Sequence, residues 1–215
     1  DGAGQFTVND GTAGIYVYSN KTAVKVGDKV HVKGSITVYY GTLQVGANIE
    51  VTPATFADQT IEFKSATPTS INAMNTADGM YGGQTLRVSG TLLFGKYNNG
   101  SSDSFWLEDA QTGSQIELYY KSFTAAEKEA LQAYAGKYVE MDVVTYDTYS
   151  SSAPNDHRVF ALPSTVKEAT APEVTDAEKV AAAIAKIEAY GFNNTYYNGE
   201  AFAFPTIEVA EGVNV

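Results

Sequence analysis

The chain contains no cysteine, which excludes disulfide staples, thiolate metal sites and cysteine nucleophiles together. Arginine is nearly absent as well. Of 14 basic residues only Arg87 and Arg158 are arginine, and they stand against 25 acidic residues for a net charge of −11. Unspecific nucleic-acid binding draws most of its free energy from Lys and Arg neutralising phosphates, so this chain starts at a disadvantage there, although a local groove can still be basic. No apolar run approaches the roughly 20 residues needed to cross a bilayer, and no basic segment followed by an apolar core opens the chain. No membrane span is expected.

What is present is a globular composition, 44% hydrophobic and 18% charged over 215 residues, enough for two separate cores. Few charges, little arginine, 15 tyrosines and 19 glycines give the chain the look of a bacterial surface protein.

An internal repeat organises the sequence. Phe6, Asp10 and Gly14 recur as Phe105, Asp109 and Gly113 at the same intervals, and each set is followed by an alternating stretch, Ile15–Tyr18 and Gln115–Tyr119. Each reads as strand, tight turn, strand, with an Asp bonding the turn backbone and positive φ expected at the glycine. Gly27-Asp-Lys-Val-His-Val then matches Gly136-Lys-Tyr-Val-Glu-Met. The second copy carries ten extra residues in this interval, where Thr124-Ala-Ala-Glu127 forms a capping box and predicts a helix over 123–135. Its five strands are expected near 84–96, 104–109, 114–120, 137–147 and 157–162, the first bent at an internal glycine. That is the order of a small five-stranded Greek-key barrel.

The runs Phe-x-x-x-Asp-Gly-Thr-x-Gly-Ile-Tyr-Val-Tyr, Val-x-Val-Gly-Asp-Lys-Val-x-Val-x-Gly and Tyr-Tyr-Gly-Thr-Leu-Gln-Val resemble the OB-fold modules of secreted bacterial proteins, the kind that accompany extracellular nucleases and phosphoesterases. The resemblance covers 5–46 closely and 84–163 more loosely. It implies a mainly β chain with two OB-like barrels in tandem: residues 1–66 as the first with its connection, and 67–165 as the second. The first copy begins at its second strand, so its first strand is missing unless another segment supplies it, and Ile49-Glu-Val and Ile61-Glu-Phe are read as further strands. Residues 166–215 read as a linker and a helix over 176–190 with Val180, Ile184, Ile187 and Tyr190 on one stripe. After it come short strands, including Ile207-Glu-Val, like the opening of a bacterial Ig-like unit. A region of a larger secreted or cell-surface multidomain protein is the expectation.

Reactive constellations are scarce. His31 lies inside a strand and His157 at the start of one, neither in a metal-ligand spacing. No nucleophile elbow, phosphate loop or dinucleotide fingerprint occurs. Asp10 and Asp109 are read as turn acceptors and not as a glycosidase pair. The oxygen-rich stretches Asn98–Asp103 and Asn155-Asp156 lack calcium-ligand spacing. No catalytic residue, metal or cofactor is expected, and the chain is read as a non-enzyme. The resemblance places a binding face around the second and third strands. If Phe105 and Leu107 point inward, Trp106 points out, either to stack on a base or sugar ring with Tyr97, Tyr119 or Tyr149, or to pack against a neighbouring domain. In the first copy Tyr16, Tyr18 and Tyr39 stand in for these, beside Lys29 and Lys33 on one strand face. Single-stranded nucleic acid, a polysaccharide or no ligand at all, as in a spacer, remain the three readings.

Overall fold

The computed structural model describes residues 5–18, 23–40, 42–74, 81–97, 102–119, 123–148, 157–173, 175, 180, 181, 184, 208–210 and 213–214, with backbone alone at 96, 97, 102, 103, 208–210, 213 and 214. The chain divides into two units, Asp1–Asp109 with Ser114–Ala171, and Ala110–Gly113 with Pro172–Val215.

The first repeat forms a four-stranded sheet from β1 (Gln5–Asn9), β2 (Gly14–Tyr18), β3 (Val30–Tyr39) and β4 (Thr42–Pro53), in the order β1-β2-β4-β3. The β1–β2 and β3–β4 pairs are antiparallel, and β2–β4 is parallel. Asp10 closes the β1–β2 turn as its chemistry dictates. Its Oδ1 accepts from the Thr12 amide at 2.9 Å, the Thr12 hydroxyl at 2.7 Å and the Ala13 amide at 3.0 Å, and these donors hold its carboxyl down at about 2. The left-handed position of that turn is Gly11, φ 90°, and not Gly14 as the sequence led one to expect. Gly14 opens β2, and close packing is the reason it is glycine.

Cross-strand partners Phe6 and Val17, Val8 and Ile15, Ile36 and Val45, and Val38 and Leu43 share one face of this sheet. Only Val17 and Val45 of that set are buried. Ile36 and Val38 are 53% and 59% exposed.

The second repeat closes. β5 (Lys64–Ala66) and α1 (Pro68–Asn72) lead into β6 (Thr85–Tyr97), β7 (Ser102–Glu108), β8 (Gln115–Leu118), α2 (Ala125–Gln132), β9 (Tyr138–Thr145), β10 (Arg158–Ala161) and β11 (Lys167–Glu168). Strands β6-β7-β8-β10-β9 form a ring that returns to β6, a closed five-stranded barrel with β8 and β10 parallel. Closure needs β6 to serve two partners. Thr85–Thr91 pairs with β9 and Thr91–Tyr97 with β7. Gly90 stands at the hand-over, where a Cβ would meet the Glu108 carbonyl oxygen at 2.8 Å. Phe105, Leu107, Ile116, Leu118, Val139, Met141, Val143 and Val159 point inward and are all buried, with Leu86, Val88 and Leu92 of β6 completing the core.

The five barrel strands and the helix between the third and fourth lie where the alternation and capping box put them. Thr124 accepts the Glu127 amide while Glu127 accepts the Thr124 amide. The helix stops at Gln132, three residues short of expectation. Two further elements differ. Ile61-Glu-Phe is not a strand. The strand is β5, three residues on, because β7 pairs with β6 only from Thr91 and leaves β6 open beside Leu86–Val88, where β5 adds in parallel. Helix α1 was not foreseen. It is a single turn capped by Thr67, with Ile71 in the core and Asn72 Nδ2 donating to Ser114 Oγ and the Gln115 carbonyl.

In the second unit Val180, Ala181 and Ile184 are helical, and β12 (Glu208–Ala210) pairs antiparallel with β13 (Val213–Asn214). The remainder of the expected helix, with Ile187 and Tyr190, and Ile207 lie outside the described residues. Among the described residues no helix is long and apolar enough to cross a membrane.

Candidate functional site

Period two along β10 decides the site's geometry. Val159 enters the barrel core, so Arg158 and Phe160 on either side of it face outward. The same rule turns Tyr146, just past β9, and Tyr119, just past β8, toward them. Tyr16 from β2 joins the group. Its ring centroid lies 5.1 Å from Tyr146 and 5.9 Å from Phe160, while Tyr146 and Phe160 are 4.2 Å apart and Tyr119 sits 5.1 Å from Tyr146. These tilted and edge-on contacts are favourable for aromatic quadrupoles. The Tyr16 hydroxyl donates to Gln5 Oε1 at 2.9 Å.

A buried ion pair stands behind the rings. The Arg158 Nε and Nη2 groups donate to the two carboxylate oxygens of Asp147, and the guanidinium lies 4.6 Å from the Tyr119 centroid and 5.4 Å from that of Tyr146. Burial works against the Arg158 charge, but the hydrogen bond and charge of Asp147, with Glu117 behind, raise its pKa above the ordinary value. Burial pushes the Tyr146 phenol up to about 12, helped by the Asp147 charge, and pushes Tyr16 and Tyr81 up as well. Tyr81, fully buried, donates to the Arg158 carbonyl at 2.9 Å, with its ring edge-on to His157. None of these phenols ionises near neutral pH.

Backbone contacts run beside this cluster. The Thr42 hydroxyl donates to the Tyr146 carbonyl, and the Thr148 amide and hydroxyl both donate to the Tyr40 carbonyl at 2.9 Å. Gly83, at φ 87°, meets Gly14 so closely that a Cβ on either would run into the other's backbone; from Gly83 it would lie 2.9 Å from the Ile15 nitrogen. The four-stranded sheet is therefore seated on the barrel through glycine backbone, hydrogen bonds to backbone carbonyls and aromatic rings, with the Arg158–Asp147 ion pair lying behind those rings on the barrel side. Next to that seat a cleft of about 610 Å³ is lined by Asn9, Asp10, Thr12, Glu62, Lys64 and Gln84, among others.

The residues singled out in the sequence fall into separate groups. Tyr16 and Tyr119 meet in the seat, and Tyr16 is only 2% exposed. Trp106 faces outward as the alternation required, opposite Glu117 across β7–β8, half-buried with its ring against Gly95. Tyr18 and Tyr39 are about half exposed, and Tyr39 stands edge-on to Tyr40 at 4.5 Å. Lys29 lies just ahead of β3, pairs with Asp58 at 2.5 Å and donates to the Phe56 carbonyl, while Lys33 pairs with Glu50 at 3.4 Å. Each lysine thus has its own carboxylate, and the two do not form one positive surface. Three more cations follow suit, Arg87 with Asp142, Lys137 with Glu168 and Lys167 with Glu140. The Tyr97 side chain, Tyr149 and the stretches Asn98–Ser101 and Asn155-Asp156 lie outside the described residues.

Asp109 is buried and accepts the Thr69 hydroxyl at 2.7 Å, tying α1 to the barrel. Sequence reasoning passed over Tyr146, Asp147, Arg158 and Phe160. The outward register of Arg158 and Phe160 around Val159 was the available signal. No protein-family model, curated protein or solved structure matches the chain.

Proposed function

We propose that this chain is a non-catalytic spacer region of a larger extracellular bacterial protein, in which two OB-like units, the first lacking its first strand, are held against each other in a fixed arrangement. One observation carries the reading. Tyr16 and Tyr119, two of the residues expected on a ligand face, are packed together with Tyr146, Phe160 and Arg158, and Arg158 on Asp147, where the sheet meets the barrel. With a net charge of −11 and most of the described lysines and arginines engaged by carboxylates, counterion release has little to work with. The test is retention of the intact chain on immobilised single-stranded oligonucleotide at low salt. The spacer reading expects none; retention that falls steeply with added salt would replace it with nucleic-acid binding.

A second reading rests on the outward Trp106 and the exposed Tyr18, Tyr39 and Tyr40, which suit stacking on sugar rings. A glycan array comparing the parent with Trp106→Ala separates the two. No signal in either supports the spacer, and signal lost with Trp106 supports a carbohydrate-binding module.

A further inference from the structure

The two repeats share a strand plan and differ in one part. In the barrel, β7-β8-β10-β9 is closed by β6, which runs antiparallel to both β7 and β9. In the first repeat β1-β2-β4-β3 has the same sequence of antiparallel, parallel and antiparallel neighbours, and among the described residues nothing pairs with the outer edges of β1 and β3. We propose that the gap between β1 and β3 is a strand-acceptor site, taking an extended polypeptide partner with apolar residues at alternate positions and a glycine near its middle.

The barrel itself specifies the occupant. Strand β6 covers Phe105, Leu107, Val139, Met141 and Val143, all buried; the apolar residues on the corresponding face of β1 and β3, Phe6, Val8, Val32, Ile36 and Val38, range from half-buried to more than half exposed. An apolar face and two unpaired edges left open together are costly in water and form a template for an added strand. Added strands gain affinity from main-chain hydrogen bonds and selectivity from alternate side chains. β1 and β3 run in the same direction, so one strand antiparallel to both satisfies both edges, as β6 does for β7 and β9. Such a strand has to bend when it passes from β3 to β1, and the glycine supplies that bend as Gly90 does in β6. Residues 54–60 do not fill the gap. They pass from the start of β3, where Lys29 donates to the Phe56 carbonyl, to the turn after β1, where Gln59 lies beside Gly11, without ladder pairing, and Thr55–Thr60 are exposed.

The experiment titrates the full chain with a synthetic peptide of residues 84–96, which has the required alternation and glycine, and with a control of the same composition but no alternation. Amide exchange is followed residue by residue. The expected result is slowing of the outward amides of β1 and β3 by about tenfold or more with the first peptide and none with the control. The Ile36→Lys, Val38→Lys double variant should lose the effect while keeping the barrel's amide protection. No slowing at millimolar peptide would overturn the proposal. So would slowing confined to β7 and β9, or edges already protected through dimerisation of the chain. Oligonucleotide and glycan retention are read separately, so failure here leaves the spacer reading intact.

Discussion

Replacing Gly83 by alanine is expected to destabilise the first unit by about 3 kcal/mol, from a left-handed φ that costs L-residues about 1–2 kcal/mol and from backbone displaced at a contact with no flexible atom to yield. For a unit of this size that is a fall of about 6–12 °C in the thermal midpoint. Gly27→Ala is the matched control. Gly27 has a similar φ of 94°, yet a Cβ there meets nothing within 4 Å, so only the conformational part, about 1 kcal/mol, should be lost. The difference isolates the packing of Gly14 on Gly83. Gly14→Ala should cost a similar amount, and the Gly14→Ala, Gly83→Ala pair should cost less than the sum because one contact is removed twice. Equal losses for Gly83→Ala and Gly27→Ala would mean the two repeats are not seated through this contact.

Removing the Asp147 carboxylate should cost as much or more. Asp147→Ala leaves the Arg158 guanidinium, whose side chain is 8% exposed, without its bidentate partner, and breaking a buried pair from one side costs about 3–5 kcal/mol. The expected signature is a lower urea midpoint and a loosened aromatic group, visible in the near-ultraviolet dichroism of Tyr119 and Tyr146. Replacing both partners, Asp147→Leu with Arg158→Met, should recover most of that loss, since no charge is then left stranded. A double variant as unstable as the single one would show that the rings, and not the charge, depend on these positions.

The repeat was legible because its turn chemistry is local. Asp10 with Thr12 and Ala13, and the paired Gly27 and Gly136, both at positive φ, follow from side chains next to the backbone they serve. The barrel strands and α2 were legible for the same reason, through period-two alternation and the Thr124–Glu127 box. Gly14 misled because a glycine needed for close approach and one needed for φ look alike in sequence. Helix α1 is one turn with no periodicity to show, and β5 exists only because β7 pairs late with β6. For the site, alternation could turn Trp106 and Tyr16 outward, but what meets an outward face is a tertiary outcome. Tyr16 met Tyr146 and Phe160 and became buried, whereas Tyr39 on the same sheet stayed half exposed.

The central claim is that one strand plan occurs twice, closed in the second repeat and, among the described residues, open in the first. Residue-resolved hydrogen exchange on the chain alone tests it most directly. The closed ring predicts strong protection along both sides of β6, including its pairing with β9 from Thr85 to Thr91, and protected β2 and β4, while the outward amides of β1 and β3 exchange at nearly unstructured rates. Outward amides on β1 and β3 as protected as those of β6 would contradict the open first repeat, and unprotected β6–β9 amides would contradict the closed second one.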